Sequence, residues 1–333
     1  MRPPVFWFRP PAAPGPLSAA LLPLSGLWAA AVRWRLRRGQ RGRIGVPVIC
    51  VGNIGIGGSG KTPTVIELVS RLTASGHCPH VLARGYGGSL SGPLRVEPGR
   101  HASDEVGDEP LLHAAFTPTW IARDRLAGGQ AAAAAGAGLV VLDDGFQNAS
   151  LAHDLSILVV NAAAAFGNGC VIPAGPLREP VGAALARADL VLSVGSDPDH
   201  DRLTADWPQL RRLPVLRASL EALPTGMDWS GQRVYAFAGI GHPSGFFAML
   251  RALGAEVVGS RIFADHQAFP PRVLRRLEAA ASNLDAQLVT TEKDAVRLPE
   301  AFRQRVLTLP VRLVVHDDAR LRDALAAIVA PGG

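Results

Sequence analysis

The chain has 333 residues, of which 48% are hydrophobic, so it can form two domains or one large domain with a real core. Its three cysteines, Cys50, Cys78 and Cys170, lack the spacing of a zinc site, which makes a reducing cytosol the simplest compartment. The net charge of +6 is uneven, because residues 1–66 carry eight arginines, Lys61 and no acidic residue. We therefore expect this basic segment to face an anionic partner.

The N-terminal segment combines aromatic, proline-rich, apolar and basic stretches. Residues 5–17 are predicted to be extended, and Ser18 is predicted to cap a helix whose apolar part is about fourteen residues long. Since a membrane-spanning helix needs about 20 apolar residues, the pattern favours an interfacial helix with Trp7, Trp28 and Trp34 at headgroup depth. The six arginines between positions 33 and 43 would then contact anionic phosphates. An ordinary packing helix and a signal peptide or true span stay open, whereas nucleic acid is disfavoured because no recognition module accompanies the basic run.

A phosphate-binding loop is the most specific motif in the chain. Residues 48–51 are an apolar run typical of a buried strand, and the following residues match G-x-x-x-x-G-K-[ST]. In such a loop, backbone N–H groups turn toward phosphate oxygens, the lysine reaches the β- and γ-phosphates, and the hydroxyl binds Mg²⁺. A helix is predicted over residues 64–72, and the alternative reading is a plain glycine-rich turn. The predicted nucleotide-binding residues are Gly55, Ile56, Gly57, Gly58, Ser59, Gly60, Lys61 and Thr62.

The scarcity of lysine supports this motif. The chain contains only Lys61 and Lys293, against thirty-two arginines. Wherever a generic positive charge is sufficient, this sequence uses arginine. A lysine at the phosphate position therefore indicates that a compact ammonium is needed there, which a planar guanidinium cannot replace.

Two segments after the first helix place charged side chains beside predicted elements. A strand over residues 79–83 leads into a glycine-rich stretch that begins with Arg84, which either contacts a phosphate or belongs to a plain turn. Further on, an acidic segment opens a helix near residue 110. Asp108 either caps that helix or forms, with Glu109, a carboxylate pair that serves as base and metal ligand.

A second apolar strand, predicted at residues 139–142, ends in Asp143 and Asp144. Carboxylates at the C-terminal end of a buried parallel strand are well placed to hold Mg²⁺, directly or through water. A glycine- and proline-rich loop follows over residues 166–180, in which Arg178 either clamps a phosphate or pairs with Glu179. With a helix over residues 131–135 and strands over 155–160 and 190–194, the alternation predicts an α/β fold with a doubly wound parallel sheet.

The C-terminal third indicates a second, smaller α/β lobe. Strands are predicted at 233–239, 257–263 and 286–291, helices at 244–253 and 271–281, and a structural helix at 319–329. His266 lies in the loop after a strand, where a lone histidine is more often a surface or capping residue. Lys293 makes either a specific ion pair or substrate contact, or a structural pair with Asp294 or Glu292. The predicted segments are 1–44, 45–225, 226–316 and 317–333.

Several motifs together resemble the tetraacyldisaccharide 4'-kinase family, which phosphorylates the lipid A precursor at the inner membrane. The resemblance covers nearly the whole chain. It includes the basic N-terminal helix and the segments VGNIGIGGSGKTP (51–63), LARGYG (82–87), VGDEP (106–110), LDDGFQ (142–147), PAGPLREP (173–180), FAGIGHP (237–243), FADHQ (263–267) and TTEKDAV (290–296). The chain departs from the pattern we expect of the family at Asn148, where a histidine is expected, and at Asn161, where an acid is expected.

The resemblance implies a P-loop NTPase-like kinase of two unequal α/β lobes, with the lipid entering beside the N-terminal helix. Carried over by motif, Asp108 is the expected catalytic carboxylate, paired with His266 across the lobes, and Lys61 acts on the phosphates. The expected magnesium residues are Thr62, Glu109, Asp143 and Asp144, and the expected phosphate or substrate residues are Arg84 and Arg178. The implied reaction uses ATP and Mg²⁺ to phosphorylate the 4'-hydroxyl of a tetraacyldisaccharide 1-phosphate.

The implied location is the cytoplasmic face of the bacterial inner membrane, on an anionic surface, with neither nucleic acid nor an obligate protein partner. Two other classes stay open on the residues alone. A membrane-associated P-loop switch ATPase would carry a second lysine early in the loop, where this chain has Ile56. A soluble small-metabolite kinase would leave the N-terminal helix unexplained.

Overall fold

Two β-sheets organise the chain, of which the computed structural model describes residues 3–329. The larger sheet has nine strands in the order β13-β8-β7-β6-β1-β5-β2-β4-β3. Its strands are β1 (Val48–Gly52), β2 (Pro79–Ala83), β3 (Leu94–Val96), β4 (Thr119–Ile121), β5 (Leu139–Asp143), β6 (Leu155–Asn161), β7 (Leu190–Val194), β8 (Val215–Ala222) and β13 (Val311–Val315). The smaller sheet is entirely parallel, in the order β10-β9-β11-β12, with β9 (Arg233–Ala238), β10 (Glu256–Ile262), β11 (Gln287–Thr291) and β12 (Leu307–Leu309).

Twelve α-helices connect or cover these strands in the described part of the chain. They are α1 (Pro16–Arg38), α2 (Lys61–Ala74), α3 (Ser103–Val106), α4 (Asp108–Ala114), α5 (Arg125–Ala134), α6 (Val181–Leu185), α7 (Asp197–Asp206), α8 (Pro243–Ala252), α9 (Pro271–Asn283), α10 (Glu292–Ala295), α11 (Glu300–Arg303) and α12 (Ala319–Val329). Short 3₁₀ helices span Val5–Phe8 and Pro208–Arg212.

The central strands are apolar throughout because helices cover both faces of the large sheet. Every residue of β1, β2, β5 and β7 is buried. Successive side chains of a strand point to opposite faces, so Ile49 and Val51 enter one core and Val48 and Cys50 the other. Helix α2 packs its apolar stripe on the first of these faces. This packing places the start of α2 at the carboxyl edge of the sheet.

The predicted α/β fold with a parallel sheet is confirmed at the centre, and one antiparallel strand is added at each edge. β3 is antiparallel to β4, and β13 is antiparallel to β8, so the sheet is mixed. Strand β13 belongs to the large sheet, although its residues fall in the range predicted for the smaller lobe. The chain therefore returns from the small lobe to the large one before α12, and the predicted domain limits stay a prediction.

Several predicted element limits need correction. Residues 5–8 form a 3₁₀ turn and are not extended. Helix α1 begins at Pro16. Proline is well tolerated in the first turn of a helix, because the N–H that it lacks would have no partner within the helix there. Ser18 is therefore inside the helix and is not its cap. Instead, Ser18 is buried and its hydroxyl accepts from Nδ2 of Asn168 at 3.0 Å. Helix α5 begins six residues before the predicted 131–135 helix, because Asp124 caps it by accepting from two backbone N–H groups.

Helix α1 is attached to the large lobe by polar contacts and otherwise exposes apolar side chains. The Ser25 hydroxyl donates to the Val171 carbonyl at 2.7 Å and accepts from the Ala174 N–H at 3.0 Å, and Trp28 Nε1 donates to the Arg178 carbonyl at 3.1 Å. These partners all belong to the 166–180 loop. Of the 23 helical residues only three are buried. The exposed large apolar side chains are Leu17, Leu22, Leu24, Leu27, Trp28 and Trp34.

This helix has the properties of a membrane-associated element. Within residues 3–329, α1 alone is long and apolar enough to cross a membrane, and only 17% of its most apolar window is buried. Its last turn carries Arg35, Arg37 and Arg38, so an apolar surface ends in a basic one. This distribution is consistent with membrane association.

Candidate active site

The phosphate loop joins β1 to α2 at the carboxyl edge of the large sheet. Gly60 has φ +93°, a left-handed conformation that lets the loop turn into α2 at Lys61, and a Cβ there would lie 3.2 Å from Val194. Lys61 Nζ donates to Asn53 Oδ1 at 3.2 Å and lies 3.6 Å from Asp144 Oδ1. The lysine predicted from the motif is therefore held beside the acids that end β5.

The two acids after β5 point to different partners. Asp143 is buried, with Oδ2 3.1 Å from Nε2 of His113, and its Oδ1 has no hydrogen-bond partner among the described residues. Asp144 has φ +53°, and its carboxylate oxygens lie 3.1 and 3.0 Å from Nη1 of Arg178. Burial opposes ionisation of Asp144, but Lys61 and Arg178 outweigh it and lower its pKa.

Asp108 and His266 meet across the two lobes. Asp108 is the first residue of α4 and only 4% exposed, and Nδ1 of His266 lies 2.9 Å from each of its oxygens. Gly107, not Asp108, precedes the helix as its capping position. Burial would raise the pKa of Asp108, but the His266 hydrogen bond and the Lys293 charge lower it overall. The same hydrogen bond raises the pKa of His266 in spite of burial.

Glu109 links the phosphate loop to Lys293 of the small lobe. Its Oε1 accepts from the Thr62 hydroxyl at 3.2 Å and from Lys293 Nζ at 3.1 Å. Burial opposes ionisation, yet the charges of Lys293 and Lys61 lower the pKa of Glu109 to about 2. Burial likewise opposes the charge of Lys293, but Glu109, Asp108 and Asp265 raise its pKa. The structural pairs that Lys293 was predicted to make with Asp294 or Glu292 do not form among the described residues.

A buried ion pair supports the small-lobe side of the site. Asp294 is fully buried and accepts from the Gly239 N–H at 3.0 Å and from the Thr291 hydroxyl at 2.7 Å. It also pairs with Arg297, whose Nε lies 3.7 Å from Asp108 Oδ2. Beyond Gly239, Gly241 packs so closely on the phosphate loop that a Cβ there would lie 2.6 Å from the backbone nitrogen of Gly58. The two lobes are thus in contact at the phosphate loop itself.

Of the two predicted arginines, only Arg178 has a partner at the site. Arg84 is exposed directly after β2 and makes no ion pair with the residues that the structure describes. The sequence reasoning missed Arg125, which is buried at the start of α5. Its Nη1 donates to the Ala122 carbonyl and its Nε has no partner among the described residues. Burial lowers the pKa of Arg125 to about 10. The available signal was an arginine four residues after the end of β4, directly behind the helix cap Asp124.

Comparison with known proteins identifies the family. The model of the family described as tetraacyldisaccharide-1-P 4'-kinase (LpxK) matches residues 17–330. The chain belongs to this family. A tetraacyldisaccharide 4'-kinase of Dinoroseobacter shibae is 56% identical over 98% of this chain and 97% of the relative. One of Jannaschia sp. is 52% identical, with 99% of each chain covered.

A crystal structure of an LpxK family member has the same architecture. The structure of LpxK from Aquifex aeolicus in complex with ATP superposes with a TM-score of 0.73 at 26% sequence identity, and covers 94% of this chain and 100% of that chain. Where the chain departs from the expected LpxK pattern, the substituted asparagines close local turns. Asn148 Oδ1 accepts from the Ser150 and Leu151 N–H groups, and Asn161 Oδ1 accepts from the Ala164 N–H.

The oxygen ligands near the phosphate loop fit a magnesium ion bound together with a nucleotide. Within residues 3–329, no three His, Cys, Asp or Glu side chains converge as a metal site of their own. Magnesium in kinases usually binds through one or two carboxylates, waters and the substrate phosphates, so such a cluster is not needed. The unpartnered, buried Oδ1 of Asp143 is an oxygen that a hydrated cation would satisfy. The Thr62 hydroxyl and Glu109 carboxylate lie within 3.2 Å of each other at the loop.

Proposed function

We propose that the chain transfers the γ-phosphoryl group of ATP to the 4'-hydroxyl of a tetraacyldisaccharide 1-phosphate in lipid A biosynthesis. The observation that supports this best is the Asp108–His266 pair, which joins the large and small lobes beside a phosphate loop. A carboxylate hydrogen-bonded to a histidine is suited to accept a proton from a hydroxyl. Family membership supplies the identity of that hydroxyl.

Phosphoryl transfer requires positioning and charge neutralisation more than covalent chemistry. Residues 55–60 would turn backbone N–H groups toward the phosphates, and Lys61 would place its ammonium on the β- and γ-phosphates. Arg178, already turned toward the loop by Asp144, would neutralise further phosphate charge. Arg84 is unpaired among the described residues and could contact a phosphate of either substrate.

Asp108 would accept the proton of the attacking hydroxyl, and His266 would orient the carboxylate and share that proton. His266 Nδ1 is equally close to both carboxylate oxygens, so the histidine can stay bound while either oxygen receives the proton. Magnesium, when bound with ATP, would supply additional charge neutralisation at the β- and γ-phosphates. The residues that would hold it are Thr62, Glu109, Asp143 and Asp144.

We further propose that the enzyme works on the cytoplasmic face of the bacterial inner membrane, as a peripheral or monotopic protein. The exposed apolar side of α1 and its basic end support attachment to an anionic leaflet. ATP is the phosphoryl donor, so the active site has to face the cytosol. Neither a nucleic acid nor an obligate protein partner is needed for this role.

The test is transfer of label from γ-³²P-ATP to a tetraacyldisaccharide 1-phosphate in detergent micelles. Wild type should produce labelled bis-phosphorylated lipid, and Asp108→Ala and Lys61→Met should each abolish it. Arg303→Met, which removes one exposed positive charge from the small lobe, serves as a matched control and should remain active. ATP hydrolysis by wild type without any labelled lipid would contradict the proposal and favour a switch ATPase.

A further inference from the structure

Lys293 occupies a central position between the lobes, although the phosphate-loop motif does not include it. It lies on α10, and its Nζ is within reach of three acceptors on different segments. These are Glu109 Oε1 of the large lobe at 3.1 Å, Asp265 Oδ1 at 3.3 Å and His266 Nε2 at 3.4 Å. Only 17% of the Lys293 side chain is exposed.

The number of donors matches the number of acceptors. A lysine ammonium has three N–H donors in a tetrahedral arrangement and no acceptor, whereas an arginine guanidinium is a planar fork. Three separate acceptors within 3.4 Å of one nitrogen therefore suit a lysine. In a chain with thirty-two arginines and two lysines, this geometry explains why position 293 is not an arginine.

The contacts at the two ring nitrogens, with Asp108 at Nδ1 and Lys293 at Nε2, favour the same tautomer of neutral His266. Because an ammonium can only donate, the nitrogen that faces it must present its lone pair. The remaining ring proton of a neutral His266 then lies on Nδ1, which is the nitrogen 2.9 Å from both Asp108 oxygens. This tautomer donates to Asp108, whereas the other tautomer would place the Nδ1 lone pair against the Asp108 carboxylate and the Nε2–H against the ammonium of Lys293.

Asp265 opposes this arrangement. Its Oδ1 lies 3.7 Å from His266 Nε2, close enough to favour a proton on that nitrogen if Lys293 were absent. The charged and titratable groups around His266 come from five segments, and Lys293 is the cation that contacts Nε2. They are Asp108 and Glu109 of α4, Asp265 of its own loop, Lys293 of α10, Arg297 of the following turn, and the Tyr86 ring, whose centroid is 5.6 Å from the imidazole.

We propose that Lys293 is a positioning residue. Its ammonium donates a hydrogen bond to the lone pair of His266 Nε2, so that the ring proton stays on Nδ1 and is donated to Asp108. This inference rests on the proposed function, since it assigns Lys293 a role in preparing the proposed base. Lys293 also ties Asp265 of the small lobe to Glu109 of the large lobe, so one ammonium contacts His266 and both lobes. Side chains that fix the tautomer and orientation of a metal-bound histidine contribute about 10- to 100-fold, and we expect an effect of the same order from Lys293.

The test combines a spectrum with kinetics. In ¹⁵N-histidine-labelled protein, ring-nitrogen correlation spectra above the titration range of His266 report the tautomer, and His266→Gln assigns the signal among the nine histidines. Wild type should show a proton on Nδ1 only. Lys293→Met should show the Nε2–H tautomer or a mixture, with kcat reduced by about 10- to 100-fold and the Kd for ATP little changed. Arg303→Met is the control for loss of a positive charge elsewhere in the small lobe.

A second variant separates this role from a structural one. In Lys293→Met/Asp265→Asn, the competing carboxylate is gone and an amide can donate to Nε2, so the Nδ1–H tautomer and part of kcat should return. A residue that only held the lobes together would not be rescued in this way. A wild-type spectrum with the proton on Nε2, or an unchanged tautomer in Lys293→Met, would overturn the inference. Failure of wild type to label the lipid would instead contradict the proposed function. The ¹⁵N spectrum would still test the tautomer of His266 independently.

Discussion

The pairing of Asp108 with His266 makes a quantitative prediction about their variants. His266→Gln retains a group that can donate a hydrogen bond to Asp108 but cannot share a proton, and Asp108→Asn removes the base. General-base groups contribute about 10²- to 10⁴-fold, or roughly 3–5 kcal/mol. Since Nδ1 lies 2.9 Å from both carboxylate oxygens and Asp108 is almost fully buried, the two residues should act as one unit.

The double variant is therefore expected to be little worse than Asp108→Asn alone. If each single variant loses about 10³-fold in kcat, independent contributions would give a loss of about 10⁶-fold, and the expected coupling is on the order of 4 kcal/mol. The assay is steady-state phosphorylation of the lipid in micelles, with the Kd for ATP measured by calorimetry as a control that should stay within a few-fold of wild type. Additive losses in the double variant would refute the idea that the pair shares the proton.

Three further predictions concern the lobes, the membrane and pH. Gly241→Ala should lower kcat while leaving ATP binding largely intact. The reason is that a Cβ at this position would lie 2.6 Å from the backbone of the phosphate loop and keep the lobes apart. An unchanged kcat would mean that this contact between the lobes is not needed. Leu24→Asp/Leu27→Asp, at positions 54% and 70% exposed on α1, should weaken binding to anionic vesicles at least tenfold in a sedimentation assay, since burying a leucine contributes about 1.5–3 kcal/mol. Asp108 raises the pKa of His266 through their hydrogen bond. This bond should therefore stabilise the fold fully below the ordinary histidine pKa, and progressively less as the pH rises through the pKa of His266 in the folded protein. The difference in Tm between wild type and His266→Gln should shrink from pH 6 to pH 9.

The strands that the sequence predicted best are those whose environment is uniform along their length. β1, β2, β5, β6 and β7 are apolar runs bounded by turns, and burial on both faces leaves a continuous hydrophobic signal. The edge strand β3 and its neighbour β4 are only three residues long and leave no comparable signal. β13 pairs with β8 from about ninety residues further along the chain, a contact that no local pattern encodes.

At the site, residues in local motifs could be predicted from the sequence, whereas contacts between distant segments could not. The spacing around Lys61 and the acids after β5 could be predicted, because each is a short motif attached to a strand end. Asp108 and His266 are 158 residues apart, and only resemblance to a family linked them. Arg125 was not foreseen, and for Lys293 a specific ion pair was one of two predicted alternatives but its partners were not identified, because they come from other segments.

The two lysines show how a composition bias becomes informative once the structure is known. The two lysines contact different acids beside the phosphate loop. Lys61 lies 3.6 Å from Asp144, and Lys293 lies 3.1 Å from Glu109, whose other partner is Thr62 of the phosphate loop. Every other fixed cation in this chain is an arginine, including those in the buried pairs of Asp294 and Glu179. A guanidinium can donate two parallel hydrogen bonds to one planar carboxylate, whereas an ammonium donates from one nitrogen to several separate acceptors. Lysine therefore remains where the acceptors are separate, and in this chain those places are the phosphate loop and the contact between the lobes.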